Sequence, residues 1–255
     1  MDDNLSILAL KKRFGNKFSF TKEELFQYFQ TFKPDIKETN FRWIVYKLRA
    51  NGIIGDVKKG IYSLLIKPKY LPRPDKGITK ITVDILKDHN TERYLIWNSS
   101  WLNEFTIHQA VNSITIFERE KEYVEDIFYL LKDKKYQNLY INPTKQIIEA
   151  YISENQSSIV ILPMISRSPI QVVEGINFPT LEKILIDVFT ERDLFHAYQG
   201  EELKNIFRSA FSLYCVNYSK LFNYAKRRNK FNEIVAFLQE LGIIEDDFFE
   251  QNKRI

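Results

Sequence analysis

Cations and aromatic residues share one face of a helix predicted over residues 36–50, and they are the residues best suited to binding a partner. On a helical wheel of about 100° per residue, the apolar face centres on Phe41 and this second face lies opposite it. Arg, Lys, Thr and Asn bind phosphates or base edges, and aromatic rings pack on sugars or thymine methyl groups. The face therefore predicts contact with double-stranded DNA, unless its aromatic residues pack on the rest of the protein. The candidate residues are Lys37, Thr39, Asn40, Arg42, Trp43, Tyr46 and Lys47, with Lys58 and Lys59 in the segment that follows.

Local signals place this helix between two boundaries. Asp35 is a candidate N-cap and Glu38 stands three residues later, which is the spacing of a capping box, and Pro34 keeps the preceding chain out of the helix. Gly52 ends the helix because glycine adopts the left-handed conformation without a Cβ clash. The apolar residues that recur at helical spacing between these boundaries are Phe41, Ile44, Val45 and Leu48.

The flanking segments complete a recognisable order of elements. Two β-prone runs, 53–57 and 61–65, are joined by Lys58-Lys59-Gly60 as a hairpin tip. Upstream, residues 21–24 form another capping box and open a helix that would support the first. A supporting helix, a second helix and a basic hairpin are the order of a winged helix-turn-helix, a fold that also serves in protein docking.

Composition and charge distribution limit the classes of protein to which this chain can belong. Residues 1–70 hold 14 Lys and Arg against 7 Asp and Glu, whereas the rest of the 255 residues holds 23 against 26. A basic N-terminal part on a mildly acidic remainder suits a nucleic-acid-binding module joined to a second domain. The sequence contains no run of about 18 apolar residues, so no transmembrane helix is expected. The single cysteine, Cys215, excludes an internal disulfide, and a cytoplasmic location is the simplest expectation.

The segment after the hairpin predicts a second, mixed domain. Residues 68–78 form a proline-rich linker that separates it from the winged helix-turn-helix domain at 1–67. The predicted fold class is α+β: a winged helix-turn-helix followed by a mixed α/β domain over 79–255, with a central sheet, flanking helices and a helical C-terminal segment. Strands are predicted at 78–86, 93–97, 113–117, 138–141, 158–162 and 169–173. Helices are predicted at 6–14, with Ile7, Leu8 and Leu10 inward, and at 100–105, 120–131, 144–152, 180–188, 201–214, 218–228 and 232–241.

The sequence contains a second candidate basic patch near its C-terminal end. It lies just after Tyr218, Phe222 and Tyr224, and interleaved aromatics favour a second nucleic-acid contact or a surface for an acidic partner. The alternative is a helix C-terminus whose cations complement the helix dipole. The patch consists of Lys226, Arg227, Arg228 and Lys230.

An enzymatic alternative is a Mg²⁺-dependent restriction-type nuclease, which needs carboxylates and an acid-x-Lys triplet on a buried strand. Such triplets occur at residues 35–37, 56–58 and 133–135, and triplets of this kind are common by chance in a charged chain. Glu182 and Asp187 diverge by about 140° on a helix, so they are not expected to face one site. The histidines share no metal-ligand spacing and no Gly-rich phosphate motif occurs, so neither catalysis nor a cofactor is expected.

Three segments together resemble one family. They are the hairpin ending in Lys59-Gly60-Ile61-Tyr62, the segment at 178–187 after the sheet, and the C-terminal stretch at 218–228. In order and spacing they resemble the AbiEi-type antitoxins of abortive-infection toxin–antitoxin systems and their orphan relatives among bacterial transcriptional regulators. The resemblance implies that the winged helix represses its own operon and that the C-terminal domain neutralises a nucleotidyltransferase-type toxin. It also leaves open an orphan regulator that has no toxin.

Overall fold

The structure is a computed structural model that describes residues 3–15, 19–65, 67–88 and 93–244, without the side chains of residues 3–7 and Lys58. The helices are α1 Asp3–Phe14, α2 Lys22–Phe32, α3 Glu38–Ala50, α4 Lys76–Asp88, α5 Val124–Asp133, α6 Lys145–Ile147, α7 Leu181–Thr190, α8 Glu201–Leu213, α9 Tyr218–Arg227 and α10 Phe231–Glu240. The strands are β1 Phe20–Thr21, β2 Ile54–Lys58, β3 Ile61–Leu64, β4 Tyr94–Asn98, β5 Ser113–Arg119, β6 Leu139–Ile141, β7 Ser157–Pro163, β8 Ile170–Val173 and β9 Ile176–Pro179. Short 3-10 turns lie at Ser99–Glu104, Lys121–Tyr123 and His196–Tyr198, and a π-helical turn at Ile148–Ile152 follows α6.

The first 65 residues form what we call the winged module. Its antiparallel sheet has the order β1-β3-β2, and α1, α2 and α3 pack against it. Phe20 and Tyr62 are paired across β1 and β3, and both rings are buried. Leu10 is buried as predicted, whereas the prediction that Leu8 points inward is wrong, because two thirds of its surface is exposed. The side chain of Ile7, also predicted to point inward, lies outside the described part of the structure. The order of elements agrees with the predicted winged helix-turn-helix.

The capping predictions for the two central helices differ in outcome. The box at α2 is confirmed: Thr21 Oγ1 accepts from the Glu24 amide at 3.1 Å, and the Glu24 carboxylate accepts from the Thr21 amide at 2.7 Å. The predicted cap at Asp35 is wrong, because α3 begins at Glu38 and Lys37 occupies the N-cap position. Ile36 is buried and its amide bonds the Lys33 carbonyl, which holds this segment in a turn outside the helix.

The prediction of a strand at residues 78–86 is wrong, because helix α4 occupies residues 76–88. Its alternating apolar residues also satisfy helical spacing, and Ile78, Ile81 and Ile85 are buried on one face. Asp75 Oδ1 accepts from the Ile78 amide at 2.7 Å at the start of the helix. The proline-rich connection therefore ends before Lys76.

The segment from α4 to α10, which we call the body, is built on a mixed sheet of order β4-β5-β7-β6. Strand β4 runs antiparallel to β5, and β5, β7 and β6 run parallel. Helices α4 and α5 cover one face and share a core with Phe117, whereas α7 to α10 cover the other face and share a core with Ile116. A separate antiparallel hairpin joins β8 and β9, and only β8 is foreseen by the sequence. The central sheet, its helices and the helical C-terminal segment agree with the predicted fold class.

The winged module contacts the body directly. Val57 and Ile61 of the hairpin are buried in the same core as the C-terminal helices. The Ser219 hydroxyl at the start of α9 donates to the carbonyls of Asp56 at 3.1 Å and Val57 at 2.7 Å. The connection is also anchored, since Pro68 accepts from the Cys215 amide at 2.9 Å. The hairpin is therefore held against α9.

Candidate nucleic-acid interface

Helix α3 presents the predicted face to solvent. Phe41, Val45 and Leu48 are buried, which fixes the rotation of the helix about its axis. Trp43 and Tyr46 lie on the opposite side and are 58% and 67% exposed. The alternative that these rings pack on the rest of the protein therefore does not hold for the described residues.

The cations on this face lie close to its aromatic residues. Lys47 Nζ stands 3.8 Å from the centre of the Trp43 ring, which is a cation–π contact. Arg42 pairs with Glu38 at 3.1 Å, and both side chains are more than half exposed, so the pair is weak and a phosphate can replace the carboxylate. Hydrogen bonds from Lys22 and Arg42 lower the pKa of Glu38, which is therefore ionised at neutral pH.

The remaining candidates of this face share its exposure. Lys37, Thr39 and Asn40 are exposed at the start of α3, and Lys59 is exposed at the hairpin tip. The side chain of Lys58 lies outside the described part of the structure. Each described candidate on α3 and at the hairpin tip thus lies on the surface while the body is in place.

The hairpin tip stands beside the N-terminal end of α3. The Gly60 carbonyl accepts from the Lys22 amide at 2.8 Å, and Lys22 Nζ bonds Glu38 at 2.9 Å. Gly60 has φ of +78°, a conformation that favours glycine and allows the tight turn. Consequently Lys59 and the start of the α3 face lie at the same end of the winged module.

The structure divides the second predicted basic patch. Arg228 is largely buried and pairs with Glu191, so its assignment to a free basic surface is wrong. Lys230 bonds the Glu233 carboxylate at 2.7 Å, whereas Lys226 and Arg227 are exposed. The aromatic residues that favoured nucleic-acid contact lie in the core instead, since Tyr218, Phe222 and Tyr224 are all buried.

The sequence gives little sign of a buried charge cluster in the body. Lys183 of α7 is 1% exposed, and its Nζ bonds Glu118 Oε1 at 2.6 Å and the Asp187 carboxylate. Asp187 also accepts from the Tyr224 hydroxyl at 2.8 Å. In the sequence, the i,i+4 spacing of Lys183 and Asp187 is the sign of this ion pair. It is easily overlooked because most residues of α7 are apolar. Glu182 and Asp187 do face different partners, since Glu182 accepts from the Asn217 amide at 2.7 Å.

This cluster borders a cavity of about 150 Å³ at the carboxyl ends of the parallel strands, a common position for binding sites in α/β sheets. Burial by itself would lower the pKa of Lys183, but the carboxylates of Asp187 and Glu118 raise it above its ordinary value. Burial raises the pKa of Glu118. The ammonium thus lies where a divalent ion would bridge the carboxylates. Arg228 lies 3.7 Å from Asp187, so two cations face the two carboxylates.

The acid-x-Lys triplets form no shared site either. Asp35 lies in the turn before α3, and Asp56 of β2 pairs with Arg49. Asp133 and Lys135 are exposed at the end of α5 and not on a buried strand. Within the described residues, no three His, Cys, Asp or Glu side chains are grouped so that they could hold a metal ion. No helix in the described ranges is both long and apolar enough to cross a membrane.

The amino-acid sequence matches a known protein family over most of its length. Residues 40–243 match the family described as "Family of unknown function (DUF6577)". The chain belongs to this family. No curated protein matches it.

The match to DUF6577 covers the second part of the winged module and the whole body. It begins at Asn40 inside α3 and ends just after α10. It therefore includes Arg42, Trp43 and Lys47, the hairpin and the whole sheet. The hairpin and the helix on which it docks both belong to the segment that defines DUF6577.

Proposed function

We propose that the protein is a sequence-specific DNA-binding transcriptional regulator that acts by occupying a promoter. The observation that carries the proposal is the α3 face, where Arg42, Trp43 and Lys47 are exposed beside a basic hairpin tip. A solvated helix gains nothing from an outward Trp and Tyr, whereas a helix in the major groove uses them against sugars and thymine methyl groups. The proposed place of action is the cytoplasm.

In the proposed complex α3 lies in the major groove and the hairpin contacts the neighbouring backbone. Arg42 and Lys47 bind phosphates or guanine edges, and Asn40 is suited to adenine. The Arg42–Glu38 pair opens when a phosphate takes the place of the carboxylate, at small cost because the pair is exposed. One module reads few base pairs, so useful specificity requires two copies on a repeated site, as a dimer or by cooperative binding.

The test is binding to a fragment from upstream of the protein's own gene, titrated in salt beside an unrelated fragment. We expect selective binding that weakens as salt rises. Replacing Arg42 and Lys47 with Ala removes two cations, so the slope of log affinity against log salt should fall by about two units. The matched control replaces Lys121 and Lys132, exposed cations beside and on α5, with Ala and should leave the slope unchanged. Equal binding by the Arg42/Lys47 variant and the native protein would contradict the assignment of α3.

The antitoxin part of the proposal rests on the resemblance to AbiEi-type proteins. In this view the protein represses its own operon, and the body neutralises a nucleotidyltransferase-type toxin. Co-expression with the product of a neighbouring nucleotidyltransferase-like gene should restore growth. Operator binding without such rescue would leave the orphan-regulator form of the proposal.

A further inference from the structure

Four cations on the body line a groove that differs from the patch indicated by the sequence. The groove encloses about 630 Å³, and none of the described residues that line it carries a carboxylate. All four side chains are exposed, and none forms an ion pair with a residue in the described ranges. The cations are Arg167, Lys220, Lys226 and Arg227.

Both walls of the groove are held in place by the fold. Arg167 stands in a turn after β7 with φ of +58°, and Ser168 bonds the Ile165 carbonyl through its amide and its hydroxyl. The other wall is the outer face of α9, whose inner face is buried through Leu221 and Ala225. The backbone that carries the cations is therefore set before any partner binds.

A series of hydrogen bonds connects this groove to the proposed recognition helix. Ser219, next to Lys220, bonds the hairpin carbonyls, and the hairpin tip is bonded through Lys22 to the start of α3. At 1.5 Å rise per residue, Arg227 lies about 12 Å along α9 from Ser219. Each strand of duplex DNA carries one charge per about 3.4 Å of axis, so a strand that runs along this length presents about three or four phosphates.

We propose that this groove binds the phosphate backbone of the duplex beyond the hairpin, next to the site that α3 reads. The proposal rests on the proposed function. Cations without carboxylate partners match phosphates, which position a protein on DNA and carry no sequence information. Protein interfaces have apolar and aromatic centres, whereas the one large apolar side chain exposed in this groove is Ile170, at 37%. The groove should therefore strengthen binding to DNA of every sequence and lengthen, on one side, the stretch of duplex that the protein covers.

The test replaces Arg167, Lys226 and Arg227 with Gln in the full chain. Lys220 is kept because its neighbour Ser219 holds the hairpin. The charge-matched control replaces Lys121, Lys132 and Lys135 with Gln; all three are exposed on or beside α5, which covers the other face of the sheet. Equal midpoints of thermal unfolding for the native protein, the groove variant and the control establish that each is folded.

Two duplexes serve as probes, one limited to the operator and one extended by about ten base pairs on each side. We expect the native protein and the control to gain affinity from the extension and the groove variant to gain none. Three lost phosphate contacts lower the salt slope by about 2.7, so the deficit of the variant should grow about fortyfold between about 200 and about 50 mM salt. Its preference for operator over unrelated DNA should stay unchanged.

The outcomes separate the two proposals. If the groove variant binds like the native protein while the Arg42/Lys47 variant loses affinity, the groove proposal is overturned and the regulator proposal stands. If the groove variant loses only binding to a partner protein or to RNA, the groove serves that partner and not DNA. A native protein that binds neither duplex overturns both proposals.

Discussion

Replacement of Lys183 with Met should destabilise the body more than any surface change. The substitution keeps most of the apolar stem but removes the ammonium that bonds Glu118 and Asp187. Hydrogen bonds to charged groups contribute about 1.5–3 kcal/mol each. Losing two such bonds and leaving the Glu118 carboxylate buried without its cation should lower the free energy of unfolding by about 3–5 kcal/mol, the range for broken buried ion pairs. Asp187 keeps the Tyr224 hydroxyl and, at 3.7 Å, the guanidinium of Arg228.

The effect should also depend on pH. Burial raises the pKa of Glu118 in the native fold, and loss of the neighbouring ammonium raises it further. A group whose pKa is higher in the folded than in the unfolded protein stabilises the fold when protonated, and this stabilisation is lost as pH rises. The difference between native protein and variant should therefore be largest at neutral pH and narrow as the pH falls towards the ordinary pKa of a glutamate, about 4.3.

Urea unfolding followed by tryptophan fluorescence measures this difference, because Trp97 is buried and borders the same cavity. Adding Glu118→Gln to the Lys183→Met variant removes one unpaired charge and should recover part of the loss. Lys132→Met, on the exposed face of α5, is the control and should change stability by less than about 0.5 kcal/mol. A loss below about 1 kcal/mol for Lys183→Met, or a loss that stays constant with pH, would refute the reasoning.

Three further predictions test local features. Thr21→Ala removes the cap of α2 and should lower the free energy of unfolding by about 1 kcal/mol in urea titrations. Thr21→Ser should retain the cap and the stability, and equal losses in both variants would exclude the hydroxyl as the cause. Burial, and secondarily the charge of Glu182, raises the pKa of the Cys215 thiol to about 11, so its reaction with a disulfide reagent at pH 8 should be about a hundredfold slower than in urea; similar rates would show an accessible thiolate. The hydrogen bond from the His108 ring, with those from nearby backbone amides, lowers the pKa of Glu202. The stabilisation that the ionised Glu202 provides is therefore present above about pH 4.3 and lost below it. The difference in unfolding free energy between the native protein and Glu202→Gln should shrink in acid, and an unchanged difference would contradict this.

The winged module could be predicted from the sequence because its signals are local. A capping box needs only Thr21 and Glu24, and a helix end needs only Gly52, so neighbouring residues decide both. The exposed face of α3 follows from helical spacing about Phe41. The Asp35 cap was the exception, because packing of Ile36 against the module's core outweighed the local pattern.

The body depended on contacts between distant residues. Residues 81, 83 and 85 alternate as in a strand, whereas Ile78, Ile81 and Ile85 have helical spacing. Packing of the latter three on α5 and the sheet favours the helix. Tyr224 was assigned beside a basic patch, and burial against α7 moved it into the core. Short-range patterns cannot distinguish these outcomes, since the free energy of burial depends on which surface the rest of the chain supplies.

The same distinction separates the two charged surfaces. The sequence by itself determined the α3 face, because one helix carries all of its cations and aromatics. Only the tertiary structure assembled the groove, since Arg167 and Arg227 stand 60 positions apart and meet only when the turn after β7 packs beside α9. It also withdrew Arg228 from the surface, because Asp187 and Glu191 of another helix attract its guanidinium more strongly than water does.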